Sequence, residues 1–205
     1  MHAAPKSEQA TDLPSDLQSN LEILSGRPAL MLAVSGGSDS LAMLHLIKRW
    51  VDEQETAPDL AVTTVDHGLR RESSNECAFV VAKCERLSVP CFKTRWEGEK
   101  PQTGLINAAR DARYQLLSRE ATKWSLKIGK PVSLLVAHTL DDQLETLTMR
   151  LKRGADSSSG GFGLAGIAKI VDFGELEIIR PLLGVSKQEL RDFLIAEGVA
   201  NWVDD

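Results

Sequence analysis

Apolar residues along this chain of 205 residues fall into short runs that end abruptly in polar clusters. Four runs, Ala29–Ser35, Leu60–Asp66, Val89–Trp96 and Val132–His138, are short, apolar and rich in β-branched residues, which predicts buried strands. Between them lie stretches of helical length. Leu41–Trp50 carries Leu41, Leu44, Leu46 and Ile47 in a mostly buried pattern. Ser74–Leu87 and Thr103–Trp124 repeat apolar residues every three or four positions, the second through Ile106, Ala109, Ala112, Leu116 and Leu117. Next comes "RLKRGADSSSGGFGLAG", basic and then rich in glycine and serine, which reads as a mobile segment. A further strand, Glu177–Pro181, and a helix, Ser186–Glu197, follow it. The opening "MHAAPKSEQATDLPSDLQ" is polar and lacks the basic start and apolar stretch of a secretory signal, so residues 1–20 are expected to form a disordered leader.

Strands alternating with helices predict an α/β fold, a parallel twisted sheet with helices on both faces and right-handed crossovers. Such sheets bind ligands beyond the carboxyl ends of their strands, where the strand order switches. Those ends read "SGGSDS", "DHGLRR", "EGEK" and "AHTLDD" and are all polar. The length suits one domain, placed at residues 21–205.

Composition narrows the classes. Hydrophobic residues at 42% and charged residues at 26% describe an ordinary globular chain. A net charge of -5 argues against a surface built wholly to hold nucleic acid, yet leaves room for a local basic strip. Cys77, Cys84 and Cys91 are seven apart and odd in number, matching neither a disulfide framework nor a C-x-x-C site; they read as reduced thiols of a cytoplasmic protein. The longest apolar runs fall well short of the roughly 20 residues of a membrane span.

The first polar cluster carries the most chemistry. A strand, a glycine turn and a helix start make an anion site, because the first helical N–H groups are free and the helix dipole favours negative charge. Gly36 and Gly37 allow close approach of backbone to phosphate, and Ser35, Ser38 and Ser40 add hydroxyls. An ordinary helix cap is the alternative. The loop has neither the lysine of G-x-x-x-x-G-K-[ST] nor the spacing of G-x-G-x-x-G. Asp39 would repel phosphate unless a Mg²⁺ bridges them, which makes it a candidate metal ligand.

Three further clusters add candidates. Asp66 and His67 in "VDHGLRRES" either end a strand or touch a nucleotide. Arg110 and Arg113 in "NAARDARY" share a helix face and can clamp a phosphate or carboxylate, unless they are a solvated face; Tyr114 and the nearby alanines point to close packing. In "AHTLDDQLETLTMRLKRG", His138, Asp141, Asp142 and Glu145 are spaced for one stripe of a helix, and such crowding calls for a cation, a base role or a basic substrate, unless it is a solvated acidic face. Arg150, Lys152 and Arg153 suit RNA phosphate or simply end a helix in solvent.

"SGGSDS" resembles the S-G-G-x-D-S loop of N-type ATP pyrophosphatases, which cleave ATP between its α- and β-phosphates. With "VDHGLR", "NAARDARY", "AHTLDDQLET", "RLKRG", "RPLL", "SKQEL" and "NWVDD" in this order, the chain resembles the tRNA(Ile)-lysidine synthetases from about Ala29 to Asp205. The resemblance implies a ligase that adenylates the wobble cytidine of an isoleucine tRNA with a CAU anticodon, after which free lysine displaces AMP. It implies ATP contacts along Ala33, Val34, Ser35, Gly36, Gly37, Ser38, Asp39 and Ser40 and at Asp66 and His67, with Mg²⁺ on Asp39. It also implies a catalytic set of Asp39, Arg110, Arg113, His138, Asp141, Asp142 and Glu145, and tRNA contacts at Arg150, Lys152 and Arg153. A homodimer is compatible with the pattern. Two departures stand out. "ADSSSGGFG" is longer and more polar than the family's usual glycine turn, and the family's C-terminal tRNA-binding domains are absent from this sequence, as in a fragment or a short form. The competing readings are a tRNA thiolase with the same loop, which would need paired cysteines, and a nucleotide-binding module without catalysis.

Overall fold

The computed structural model describes residues 15–70, 72–154, 166–199 and 201–203. In chain order these form helix α1 (Ser15–Glu22), strand β1 (Ala29–Ala33), α2 (Ser38–Asp52), β2 (Asp59–Asp66), α3 (Ser73–Arg86), β3 (Cys91–Arg95) and α4 (Leu105–Ile128). Then come β4 (Ser133–Val136), α5 (Leu140–Gly154), β5 (Ile170–Phe173), β6 (Leu176–Ile179) and α6 (Lys187–Ala196).

The six strands make one sheet in the order β3-β2-β1-β4-β6-β5, parallel throughout except for the β5–β6 pair. Successive side chains of a strand point to opposite faces, and both faces here are apolar. Leu30, Leu32, Val62, Leu135 and Ile179 enter a core with residues of α1, α2, α3 and α6. Ala29, Met31, Ala61, Leu134, Val136 and Ile178 enter a second core beneath Leu117, Ala121 and Trp124 of α4. The expected α/β sheet with helices on both faces is therefore the fold.

Some boundaries differ from the sequence reading. Residues 15–20, expected in the leader, begin α1, because Leu17 and Leu21, four apart on one helical face, are buried together with Leu24 in the turn that follows. Each such leucine contributes roughly 1.5–3 kcal/mol of burial. Strand β5 was not anticipated; its hairpin to β6 turns at Gly174, whose φ of 65° suits glycine. Ile106, at the start of the apolar spacing in α4, is 85% exposed, and the helix buries Leu117, Ala121 and Trp124. Residues 155–163 of the glycine and serine segment lie outside the described residues.

Candidate active site

The chain leaves the sheet through a loop organised by one hydroxyl. Val34 still follows the sheet, its N–H donating to the Thr63 carbonyl at 3.0 Å. Ser40 Oγ then accepts from the N–H groups of Ser35 and Gly36, both at 3.2 Å, and donates to the Gly37 carbonyl at 3.0 Å. Gly36 takes φ +100°, a region that side chains rarely adopt. Gly37 caps α2 with φ -66° and ψ 161° and has no side chain to fill the cap. The N–H groups of Ser38, Asp39 and Ser40 belong to the first helical turn, whose donors have no carbonyl a turn earlier, and are left to an anion.

Beside this loop lies a cavity of about 300 Å³. It sits at the β1/β4 boundary, where the strand order switches, as the fold class requires. Ala33, Val65 and Val136 form an apolar floor that the Thr63 hydroxyl interrupts. Arg110, Arg113, Tyr114 and Leu117 of α4 line it from positions i, i+3, i+4 and i+7, one continuous helical stripe. Tyr114 is backed by Phe173 of the unanticipated strand, ring centroids 6.0 Å apart. His67 enters from the end of β2, His138 from the end of β4, Asp142 from α5 and Lys187 from α6.

The cavity is electropositive around a few carboxylates. Burial, with Arg180 and then Arg110 and Arg113 opposing the charge, brings the His138 imidazole down to about 4, so it is neutral at physiological pH. Burial and Arg113 lower His67 in the same way. Burial raises the Asp39 carboxyl against the opposing pull of Lys187 and the Ser38 hydroxyl. For Asp142 burial also acts upward, but the Thr139 N–H and hydroxyl, at 2.8 and 3.0 Å, together with Lys187 hold it below its usual value. Thr63 Oγ1, His67 Nδ1 and His138 Nδ1 are buried without a hydrogen-bond partner among the described residues. Orphaned buried polar atoms lining a cavity are suited to a polar ligand.

The expected residues divide. Ala33, Val34, Ser35, Gly37, Asp39, Ser40, His67, Arg110, Arg113, His138 and Asp142 line the cavity together. Others do not line it. Asp66 turns away from its neighbour His67, as strand alternation demands, and accepts from Ser73 Oγ at 2.6 Å, Ser74 Oγ at 2.7 Å and Gly68 N–H at 2.9 Å. It holds the β2–α3 connection rather than reaching the cavity. Gly36 lies under Val80 and Val203, and Ser38 Oγ is committed to Asp39 at 3.2 Å.

The single helical stripe from His138 to Glu145 does not form, because α5 starts at Leu140 and His138 precedes it. Thr139 and Asp142 cap that start reciprocally. Asp141 instead accepts the Lys187 N–H at 2.8 Å, and Glu145 is exposed beyond the cavity. Arg150, Lys152 and Arg153 belong to the last turns of α5, and their side chains lie outside the described residues.

Lys187 was not singled out, nor were Thr63 and Leu117. For Lys187 the available signal was "SKQEL", a serine cap with glutamate three residues later, which places the intervening lysine at a helix start. Thr63 looks in sequence like any strand residue.

Among the described residues no group of three or more His, Cys, Asp or Glu is placed to hold a metal ion. The carboxylates that line the cavity are Asp39 and Asp142, and Mg²⁺ is commonly held by one or two carboxylates plus substrate phosphates and water. Among the described residues no helix is long and apolar enough to cross a membrane.

Residues 9–205 match the family described as PP-loop domain. The chain is 45% identical over 167 residues to a tRNA(Ile)-lysidine synthase of Bradyrhizobium diazoefficiens, an alignment covering 82% of this chain and 44% of that protein. It is 42% identical over 196 residues to the enzyme of the same name from Ruegeria pomeroyi, covering 96% and 44%. The chain thus spans less than half the length of these curated relatives. Among solved structures, a U34-tRNA thiolase from Methanococcus maripaludis superposes with a TM-score of 0.72 at 18% identity, covering 90% of this chain and 63% of that one. That likeness concerns the fold alone.

Proposed function

This chain belongs to the PP-loop domain family, and on that premise we propose that it is the ATP-using catalytic unit, α1 included, of a cytoplasmic tRNA(Ile)-lysidine synthetase. The family implies ATP use, and the named relatives imply a tRNA substrate. The finer reading is ligation of free lysine to C2 of the wobble cytidine of an isoleucine tRNA bearing CAU. The observation that carries it is the meeting, in one cavity, of a phosphate loop, two arginines on one helix face, a neutral histidine and a carboxylate.

The residues suit two successive steps. In the first, the cytidine O2 attacks the α-phosphorus of ATP and pyrophosphate leaves. The first-turn N–H groups of α2 hold phosphate oxygens, and Arg110 and Arg113 offset the charge that grows in the transition state. Mg²⁺ held by Asp39 would add Lewis-acid charge on the phosphates. In the second, the lysine amine attacks C2 and the bond from C2 to the AMP oxygen breaks. The amine must first lose a proton. Asp142, ionised and lining the cavity, suits its ammonium and is an available base for that proton, while His138, neutral with an unpaired Nδ1, suits a hydrogen bond to a polar group of a substrate. Asp141 and Glu145 stand outside that cavity and are left out of the chemistry.

A thiolase reading has no sulfur to work with, since none of the lining residues is a cysteine and Cys77 and Cys84 are buried in the fold. A binding module without catalysis has no use for His138 and Asp142. The deciding assay combines the protein, Mg-ATP, labelled lysine and CAU isoleucine tRNA. Lysine incorporation with release of AMP and pyrophosphate is expected. Absence of turnover, also in a chain extended to the length of the relatives, overturns the proposal.

A further inference from the structure

Arg180 follows directly on β6 and is the only buried arginine among the described residues, 9% exposed. Its backbone N–H donates to the Lys169 carbonyl at 2.8 Å and its Nη1 to the Ala168 carbonyl at 2.9 Å, so the entry to β5 holds it in place. Nε is buried without a partner, and among the described residues no carboxylate pairs with the guanidinium. A guanidinium drawn out of water onto a single carbonyl is costly. Folds tolerate such costs chiefly at functional sites.

The sheet order fixes where that charge acts. β6 runs parallel to β4 with Leu135 opposite Ile179, so Arg180 lies one step beyond the last pair, at the same end of the sheet as His138. By alternation Arg180 takes the face of Ile178, which packs with Val136 beneath α4. On that face α4 carries Arg110 and Arg113 over the cavity. Arg180 itself does not line the cavity and stands on the β6 side of His138, whose Nδ1 is also buried and unpartnered. After burial, Arg180 is the charge that most opposes protonation of that imidazole, ahead of Arg110 and Arg113, while Asp142 of α5 favours it.

Resting on the lysidine-synthetase reading above, we infer that Arg180 is a positioning residue: its buried guanidinium, pinned to the entry of β5, sets the form in which His138 meets the substrate. Arg180 touches no reacting atom and acts through the histidine. A neutral imidazole offers one donor and one acceptor, whereas the imidazolium offers only donors and a charge beside the arginines. An incoming lysine ammonium then meets a neutral acceptor rather than a further cation.

The test follows the His138 imidazole by NMR across pH, assigned by its loss in His138→Gln, in the unaltered chain, Arg180→Gln and Arg180→Lys. The amide of Arg180→Gln can still donate to the Ala168 carbonyl. Arg180→Met, an apolar replacement of a buried charge, repeats the comparison where Arg180→Gln loosens the fold. Removing the guanidinium charge is expected to raise the titration of His138 by about one pH unit, and Arg180→Lys to leave it in place. Pyrophosphate release, by the form of the protein that turns over in the assay above, should lose activity toward acid at a correspondingly higher pH in Arg180→Gln, with Arg180→Lys restoring the profile. A purely structural role lowers Tm without moving the histidine. If His138 titrates unchanged in the neutral variants, moves equally in Arg180→Lys, or moves without the pH–rate profile following, the inference falls while the reading of the site stands. If no form of the unaltered protein turns over, that reading falls and the inference with it.

Discussion

The carbonyl of Gly36 accepts a hydrogen bond from the N–H of Val203 at 2.9 Å, so the phosphate loop is latched to the last described turn of the chain. A Cβ on Gly36 would meet Val203 Cγ2 at 3.1 Å and Val80 Cγ2 at 3.4 Å, on a residue already at φ +100°. Gly36→Ala is therefore expected to cost on the order of 1–3 kcal/mol in strain and to lower Tm by several degrees in a thermal melt. ATP binding should fall with it, since the loop N–H groups shift. An unchanged Tm and nucleotide affinity would show that the latch has no structural role.

Asp66 serves architecture. Three donors converge on its buried carboxylate, and Asp66→Asn replaces one accepting oxygen with a competing donor. A loss of about 1–3 kcal/mol is expected in denaturant unfolding. Residual ATP binding at low temperature should stay near that of the unaltered protein, which separates a residue that holds the loop from one that touches the nucleotide.

Acid should destabilise the protein in two windows, to which His138 and Asp66 each contribute. The Asp66 carboxyl is lowered from 3.8 to about 2 by Ser73 and Ser74, so its contribution is present above pH 3.8 and lost as pH falls through 2. That contribution is on the order of 2 kcal/mol. His138 is lowered from 6.5 to about 4, chiefly by burial, so stability from keeping it neutral is present above pH 6.5 and declines as pH falls toward 4. His138→Gln should reduce the slope of the stability profile between pH 6.5 and 4, where His45 and His67, also lowered by burial, supply the rest. Asp66→Asn should reduce the slope between 4 and 2, where Asp142, Glu177 and Glu189 also contribute.

Arg113→Gln is expected to slow pyrophosphate release about a hundredfold, the scale of one lost transition-state donor. Because Arg110 and Arg113 both disfavour the His138 imidazolium, either substitution should also move that imidazole upward in an NMR titration. A drop in rate with no movement of His138 would place the arginines away from the histidine.

Much of the site was legible because it is local. Gly36, Gly37 and the hydroxyls of the loop are consecutive, and Arg110 and Arg113 share a face by helical spacing alone. Local spacing misleads where it crosses an element boundary. His138, Asp141, Asp142 and Glu145 have helical spacing, but the helix begins at Leu140, so the histidine leaves from the strand end and Asp141 turns to α6. Asp66 and His67 are adjacent in sequence, yet neighbouring residues at a strand end diverge, which sends one into the β2–α3 connection and the other into the cavity.

From the sequence alone come the alternation of strands and helices, the phosphate loop and the arginine face, since each depends on residues a few positions apart. Only the tertiary structure decides that Lys187 stands between Asp39 and Asp142, that Thr63 lies in the cavity floor, and that Phe173 backs Tyr114. Those pairings join residues from strands and helices distant in the chain. They follow from sheet order and from which face each element buries, and no local period carries that information.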